Sequence, residues 1–193
     1  MTIYFLRHEH RDKNDFLFRS NLNTIGNLNA NTTLKQHLSM LNFDTIYSSP
    51  FIRTIQTITP TVNTYRKDMK INPEYAIAEY IHDKAFISCN DFILKTEDYE
   101  RFPLNKEYIS VFCKDRLCYK ETITHLNNRT KMFSDYIKQE YHPDKTILIC
   151  SHRSTLISLI NNLYDGISIN DNDEFGMGKL VVVNDDNRLI FLN

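Results

Sequence analysis

Two short apolar runs, each followed closely by a histidine, constrain the fold of this chain more than any other feature. Residues 2–6 lead directly into Arg7 and His8, and residues 146–150 end two positions before His152. Runs of this kind, bounded by polar residues, are typical of buried strands. The pattern predicts that both histidines lie where a strand gives way to a loop, which is where α/β folds hold their reactive groups.

A third apolar segment, residues 45–47, is followed by a Ser-Ser-Pro turn and then by Arg53. Three strand ends can therefore bring His8, Arg53 and His152 to one rim of a sheet, with Arg7 beside His8. An arginine offers fixed, permanently charged donors that match phosphate oxygens, and an imidazole can act as a nucleophile. These residues predict a site for a tetrahedral dianion.

Strand and helix patterns alternate along the chain. The expected strands cover residues 2–6, 44–47 and 145–150, with a terminal hairpin of residues 179–183 and 188–192. The expected helices lie within residues 23–41, 50–65, 120–141 and 154–163. This order predicts a layered α/β fold around a parallel sheet. Residues 80–118 lack sustained periodicity, so we expect them to be an insertion over the site, where loops tend to set substrate choice.

The length and charge of the chain argue against several classes of protein. Its 193 residues suit one domain spanning 1–193, and a net charge of −1 gives no basic surplus for nucleic-acid binding. We find no leader pattern and no run of the roughly 18–20 apolar residues that a membrane helix needs. The four cysteines include no Cys-x-x-Cys pair, so we expect a soluble cytoplasmic protein with reduced thiols. Frequent Asn, Ile and Lys favour an AT-rich genome; if its source is viral, the expected compartment is the host cytoplasm.

Further residues complete a pattern that resembles a known family. The pattern consists of Arg7-His8-Glu9, Ser49-Pro50-x-x-Arg53-x-x-Gln56-Thr57, Glu79 and Ser151-His152. Its order and approximate spacing are similar to those of the histidine phosphatase superfamily, also called phosphoglycerate mutase-like, over roughly the whole chain. The resemblance implies a three-layer α/β/α sandwich with a mostly parallel central sheet. Arg11, the Ser-Ser-Pro-Phe form and the surroundings of Glu79 are most similar to the branch containing the suppressor of T-cell-receptor signalling phosphatases.

The resemblance implies a role for each residue of the pocket. His8 is the nucleophile and carries the phosphoryl group, Arg7 and Arg53 clamp the phosphoryl oxygens, and His152 donates to one of them. The chain is thus expected to be a phosphomonoester hydrolase. Its substrate would be a phosphorylated small molecule or a phosphoprotein. We expect no metal ion or other cofactor, because arginines and protonatable histidines already supply positive charge.

Glu79 matches the general acid of this branch, which protonates the leaving oxygen and later deprotonates the attacking water. Such a group needs a raised pKa, and its apolar neighbours Ile77 and Ala78 could raise it by desolvation. Glu74 is the competing carboxylate. Either glutamate could also be a solvated surface group.

Four residues near the predicted pocket bear on substrate binding. Arg11 and Asn14 lie in the loop after the nucleophile, where relatives often add substrate contacts. Glu9 and Arg153 follow the two histidines at positions where relatives often have glycine. Neighbouring residues of an extended segment point to opposite sides, so we expect Glu9 to face away from the pocket, while Arg153 adds positive charge near it.

Three other functions stay open at this point. Glu9 and Arg153 could have abolished turnover, which would leave a phospholigand-binding or scaffold protein of the same fold. A mutase is disfavoured because the Glu-Arg-His-Tyr-Gly segment of phosphoglycerate mutases has no counterpart. A metal site seeded by His8-Glu9-His10 needs a third ligand and is opposed by the nearby arginines.

A homodimer could form through the edge strand of the terminal hairpin.

Overall fold

The computed structural model describes residues 1–12, 14–15, 17–82, 92–117, 120–167, 169, 175–184, 186 and 188–193. Within them, six strands form one sheet. The strands are β1 (Thr2–Arg7), β2 (Thr45–Ser48), β3 (Ile71–Pro73), β4 (Thr146–Ser151), β5 (Leu180–Val183) and β6 (Leu189–Phe191). The helices are α1 (Thr24–Asn31), α2 (Thr33–Ser39), α3 (Ile52–Tyr65), α4 (Thr96–Arg101), α5 (Ile123–Glu140) and α6 (Arg153–Leu163). Short 3₁₀ turns cover Tyr75–Ile77 and Lys114–Arg116.

The strand order is β3-β2-β4-β1-β5-β6. The pairs β3-β2, β2-β4 and β4-β1 are parallel, whereas β1-β5 and β5-β6 are antiparallel. The sheet is therefore mixed and mostly parallel, with helices on both sides. The predicted fold class is confirmed.

Alternating side chains of the central strands build two separate hydrophobic cores. Leu6 of β1 belongs to the core that also contains α2 and α3, whereas Ile3 and Phe5 belong to the core that contains α5 and α6. A parallel strand covered by helices on both faces must be apolar on both sides, which explains the continuous apolar runs in the sequence. The same helices hold the strand ends in fixed positions.

Several element boundaries differ from the sequence-based expectations. The helix expected within residues 23–41 is two helices, because the backbone leaves helical geometry at Thr32 (φ −123°, ψ −95°). Strand β3 was not predicted, since it has only three residues and contains Pro73. Proline cannot donate to a sheet ladder and is tolerated at an edge, and β3 is an edge strand. The terminal hairpin is confirmed by the antiparallel pairing of β5 with β6.

The expected insertion at residues 80–118 lies partly outside the described residues, which omit 83–91 and 118. Its described part contains α4 and sends Phe92, Leu94 and Phe102 into the core beside α3. Its role in substrate choice stays a prediction, as does a homodimer through the edge strand β6. Across the described parts of the chain, no helix is both long and apolar enough to cross a membrane.

Candidate active site

The register of the parallel strands brings the predicted residues together. Arg7 pairs with Ser151, and Ser48 pairs with Cys150, so the residues that follow β1, β2 and β4 lie side by side. The rings of His8 and His152 meet edge to face with their centroids 5.1 Å apart. The rim predicted from three apolar runs is therefore present at the carboxyl ends of three adjacent strands.

His8 is buried and neutral. Its Nδ1 lies 2.7 Å from the carbonyl oxygen of Glu9. Because a carbonyl only accepts hydrogen bonds, Nδ1 carries the proton and the lone pair is on Nε2. Burial, together with the charge of Arg53 and the nearby His152, holds the pKa of His8 well below its usual value. The imidazole is thus in its nucleophilic form at neutral pH.

Arg53 is fully buried in the first turn of α3. Its Nη1 donates to the carbonyl oxygen of Leu17 (2.9 Å), and its Nη2 donates to Oε2 of Glu79 (3.1 Å). The guanidinium lies over the ring of Phe51, 4.6 Å from its centroid. Burial lowers the pKa of Arg53 to about 10, so the group stays charged at neutral pH.

Other arginines add donors beside Arg53. Arg7 donates through Nη1 to the carbonyl oxygen of Phe175 (2.6 Å). Burial lowers the pKa of Arg7 while Glu79 opposes that shift, and the nearby charges of Arg153 and Arg11 lower it further. Within the described residues, the buried Nε–H groups of Arg7, Arg53 and Arg153 have no acceptor. Buried donors of this kind are costly to leave unpaired, so the cluster is suited to an anion.

Glu79 joins Arg53 to His152. Its Oε2 lies 2.9 Å from Nδ1 of His152 and 3.1 Å from Nη2 of Arg53, and its side chain is 20% exposed. Burial favours a raised pKa, but the contacts with His152 and Arg53 outweigh it and hold the pKa of Glu79 well below its usual range. The expectation of a raised pKa is therefore wrong: desolvation is the largest single influence on Glu79, but the lowering effects of His152 and Arg53 together exceed it.

A buried ion pair fixes the backbone that carries Glu79. Arg129 of α5 donates to the carbonyl oxygens of Ala76 (2.6 Å), Ala78 (2.9 Å) and Glu79 (2.9 Å). Its Nε also donates to the Glu121 carboxylate, 2.6 Å away. No local pattern predicts this arrangement, since an arginine in an amphipathic helix is normally solvated.

Glu74, the competing carboxylate, is fully buried elsewhere. It accepts hydrogen bonds from the backbone N–H groups of Ala76 and Val111 and from the hydroxyls of Tyr108 and Ser110. Four donors occupy its lone pairs, so Glu74 ties the turn after β3 to residues 108–111. It is Glu79, and not Glu74, that contacts His152 and Arg53.

His152 is held at both ring nitrogens. Nε2 lies 2.8 Å from Oγ of Ser49, and Nδ1 lies 2.9 Å from the Glu79 carboxylate. An ionised carboxylate only accepts, so the proton is on Nδ1 and the Ser49 hydroxyl donates to Nε2. Burial lowers the pKa of His152 to about 4. Ser49 belongs to the sequence motif, but no role was predicted for it. Its position directly after β2 is the sequence feature that indicates a place in the pocket.

Glu9 faces away from the two histidines, as expected. The side chain is buried, and its Oε2 lies 3.0 Å from Nδ1 of His10 and 3.2 Å from Nδ2 of Asn29. The carboxylate packs directly on Gly178 of the segment before β5. Glu9 therefore binds α1 and that segment, while its backbone carbonyl holds His8.

Arg11 and Arg153 lie close to Arg7, whereas Asn14 lines a cavity whose described lining does not include His8, Arg53, Glu79 or His152. The charge of Arg11 lowers the pKa of Arg7 and of Arg53, which places Arg11 near both. Arg153 begins α6, directly after His152. Asn14 is exposed and lines a cavity of about 720 Å³. The other residues of that cavity are His10, Arg11, Asp12, Asn23, Ile25 and Met177.

The fold and the pocket define an α/β protein with two histidines and several arginines gathered at the carboxyl ends of its parallel strands. The family model described as histidine phosphatase superfamily (branch 1) matches residues 3–184. The chain belongs to this superfamily. No curated protein matches the sequence.

Solved structures of phosphatases share the fold at low sequence identity. The ecdysone phosphate phosphatase of Bombyx mori, in complex with tungstate, has a TM-score of 0.74 and 14% identity over 100% of this chain and 92% of its own. A phosphoserine phosphatase of Entamoeba histolytica, in complex with 3-phosphoglyceric acid, has a TM-score of 0.56 and 17% identity over 100% and 95%. A mycobacterial glucosyl-3-phosphoglycerate phosphatase with inorganic phosphate has a TM-score of 0.62 and 12% identity over 98% and 94%. These likenesses establish the fold.

Proposed function

We propose that the protein is a phosphomonoester hydrolase that works without a metal ion, through a phosphohistidine intermediate on His8. One observation carries the proposal: a neutral, buried His8 lies beside arginines whose buried Nε–H groups have no acceptor among the described residues. A phosphoryl group supplies several anionic oxygens to those donors and an electrophilic phosphorus to the imidazole. Membership of the superfamily supports the same chemistry.

In the first step, the Nε2 lone pair of His8 attacks phosphorus and the bond to the leaving oxygen breaks. Charge spreads over the three equatorial oxygens, where Arg7 and Arg53 stabilise it. The Nδ1–H group of His152 donates to one of these oxygens. The hydrogen bond from His8 Nδ1 to the Glu9 carbonyl stabilises the positive charge that develops on the ring.

Glu79 supplies the proton to the leaving oxygen. In the pocket without a ligand it is ionised because Arg53 and His152 contact it. A bound dianion takes over both donors and adds negative charge nearby, so the pKa of Glu79 rises on binding. Glu79 therefore takes up a proton from solvent as the dianion binds, and this is the proton that the leaving oxygen receives. In the second step it accepts a proton from the water that attacks phosphohistidine, which releases phosphate and free His8.

We assign the leaving group of the substrate to the cavity beside Arg11. Arg11 and Asn14 line the large cavity near the arginine cluster, together with the apolar side chains of Ile25 and Met177. We propose that a phosphorylated small molecule or a phosphoprotein side chain extends into this cavity. The finer assignment to the branch of the suppressor of T-cell-receptor signalling phosphatases, and a place in the cytoplasm, remain proposals of the same kind.

The test is phosphate release from p-nitrophenyl phosphate between pH 4 and 8 with a chelator present. His8→Ala removes the nucleophile, and we expect turnover to fall roughly 10³-fold or more. His142→Ala, which changes an imidazole that is 77% exposed, is the matched control and should retain activity. Equal phosphate release by wild type and His8→Ala would contradict the proposal, as would a strict requirement for added metal.

A phospholigand-binding protein without turnover is the second candidate. The low pKa of Glu79 favours it, since an acid that stayed ionised with substrate bound could not protonate the leaving group. Calorimetry with inorganic phosphate and vanadate distinguishes the two functions. Anion binding without turnover on aryl and alkyl phosphates would indicate a binding protein, whereas turnover inhibited by vanadate would indicate the enzyme.

A further inference from the structure

His8, His152 and Glu79 each offer a ligand atom, and these atoms lie within 4.8 Å of one another. Two imidazoles and one carboxylate form a ligand set that zinc accepts in proteins. We propose that this cluster binds a zinc ion and that the bound ion inhibits the protein reversibly. The inhibition rests on the proposed phosphatase function, whereas the binding does not.

The second nitrogen of each histidine has a partner that fixes the ring. A metal-binding histidine usually donates its second ring N–H to a carboxylate, a backbone carbonyl or a water; the contact of His8 has this form, and at His152 the Ser49 hydroxyl takes the place of the water. Here Nδ1 of His8 contacts the Glu9 carbonyl at 2.7 Å, and Nε2 of His152 contacts the Ser49 hydroxyl at 2.8 Å. This leaves Nε2 of His8 and Nδ1 of His152 as the two ligand atoms.

The distances suit a small ion after modest side-chain movement. Zinc bonds of about 2.0–2.2 Å place neighbouring ligand atoms about 3–3.5 Å apart. Nδ1 of His152 and Oε2 of Glu79 are already 2.9 Å apart. The Glu79 side chain is partly exposed, so it can turn to bring the set together. On binding, the proton of His152 moves from Nδ1 to Nε2, the Nε2–H group then donates a hydrogen bond to the Ser49 hydroxyl oxygen, and no net proton is lost.

The arginines limit the affinity of this site. Arg53 donates to the same Glu79 oxygen at 3.1 Å, and the charge of Arg7 also lies close. One carboxylate cannot neutralise two guanidinium groups and a dication. We therefore expect a dissociation constant in the micromolar range, weaker than that of a structural zinc site, and an anion such as hydroxide or phosphate as the fourth ligand.

Inhibition follows from which atoms the ion uses. The bound ion takes the lone pair that attacks phosphorus and the carboxylate that must carry the proton. It blocks both halves of the proposed reaction at once. A chelator restores activity, which distinguishes this ion from a cofactor.

The binding test uses full-length protein freed of metal with a chelator and then titrated with zinc in a calorimeter and with cobalt by visible absorption. We expect one micromolar site in wild type and at least 100-fold weaker binding in His8→Ala, His152→Ala and Glu79→Gln. Glu79→Gln keeps the shape of the side chain. Weaker binding in this variant therefore cannot be attributed to unfolding, even if the histidine variants fail to fold. The matched control is His10→Ala, because the sequence also allowed a site at His8-Glu9-His10. Retained binding in His10→Ala supports the proposed cluster; loss there, unchanged binding in the other three, or no binding at millimolar zinc would overturn it.

The activity test adds zinc to p-nitrophenyl phosphate assays of wild type and then adds excess chelator. Inhibition that the chelator reverses completes the proposal. Zinc bound at the cluster of an active enzyme without inhibition would overturn the inhibitory half. Zinc binding to a protein that never hydrolyses phosphate would refute the proposed function and leave the metal site in place.

Discussion

At the scale of single residues, the protonation state of each side chain determines the chemistry that the pocket can perform. His8 and His152 are neutral because burial lowers their pKa values, and Glu79 is ionised because its contacts with His152 and Arg53 outweigh burial. A neutral nucleophile suits the attack step, whereas an ionised general acid does not suit protonation. In the proposed reaction, binding of the dianion has to change the protonation state of Glu79, and this predicts a distinct kinetic signature for the residue.

The signature is a dependence on the leaving group. Glu79→Gln keeps hydrogen-bonding atoms but cannot transfer a proton, so we expect kcat for an alkyl phosphate to fall roughly 10²–10⁴-fold. The fall should be much smaller for p-nitrophenyl phosphate, because its phenolate leaves without protonation. Steady-state kinetics on both substrates provide the measurement. Glu97→Gln, which alters a carboxylate that is 68% exposed, should match wild type. An equal loss on both substrates would argue against Glu79 as the acid.

At the scale of elements, one buried ion pair joins α5 to the segment that carries Glu79. Replacing Arg129 with Met leaves the Glu121 carboxylate buried without its partner and removes the donors to three carbonyl oxygens. We expect the free energy of unfolding to fall by about 3–5 kcal/mol. Urea denaturation measures it. Lys131→Met breaks an exposed pair with Asp135 on the same helix and should change stability by less than about 1 kcal/mol. Similar small losses in both variants would show that the buried pair is not structural.

The segment before β5 packs closely against the buried side chain of Glu9. Gly178 has φ +73°, and an added Cβ would lie 2.2 Å from Oε1 of Glu9. Gly178→Ala should therefore destabilise the protein by more than the roughly 1–2 kcal/mol of a left-handed residue alone. Gly166, with φ +82° and open space around it, is the matched control. Gly166→Ala should lose only that backbone contribution. Combining Gly178→Ala with Glu9→Ala should recover part of the excess loss, measured as coupling in a double-mutant cycle; strict additivity would contradict the contact.

The central strands and the meeting of His8, Arg53 and His152 could be predicted because they depend on local signals. Short, continuous apolar runs mark strands that are buried on both faces, and each run is followed closely by a motif residue. Strand β3 could not be predicted, since three residues ending in proline carry no periodicity. The contacts of Arg129 with carbonyl oxygens about fifty positions away depend on how helices pack, which no local pattern encodes. The pKa of Glu79 was wrongly predicted because neighbours in sequence are apolar while neighbours in space are charged.

At the scale of the whole molecule, the strand order explains why one pocket forms. Strand β4 lies between β2 and β1, so elements that are far apart in sequence end at the same rim. The two cores on either side of the sheet fix these ends, and polar groups are buried where the strands stop. The pocket therefore contains groups whose protonation is coupled to folding of the entire domain.

This coupling predicts a stability that depends on pH. An unfolded histidine has a pKa near 6.5, whereas His8 lies well below that value and His152 lies at about 4 in the folded protein. As pH falls below 6.5, these two side chains bind protons in the unfolded chain but not in the folded protein. The free energy of unfolding therefore decreases until the pH reaches the pKa of the folded state. Between pH 7 and 5 each histidine should remove about 2 kcal/mol from the free energy of unfolding. Urea denaturation at both values measures it, with His152→Gln expected to show about half the dependence and the exposed His142→Gln the full dependence. Stability that is flat from pH 7 to 5 would mean that the buried imidazoles take up protons as readily as they do in water.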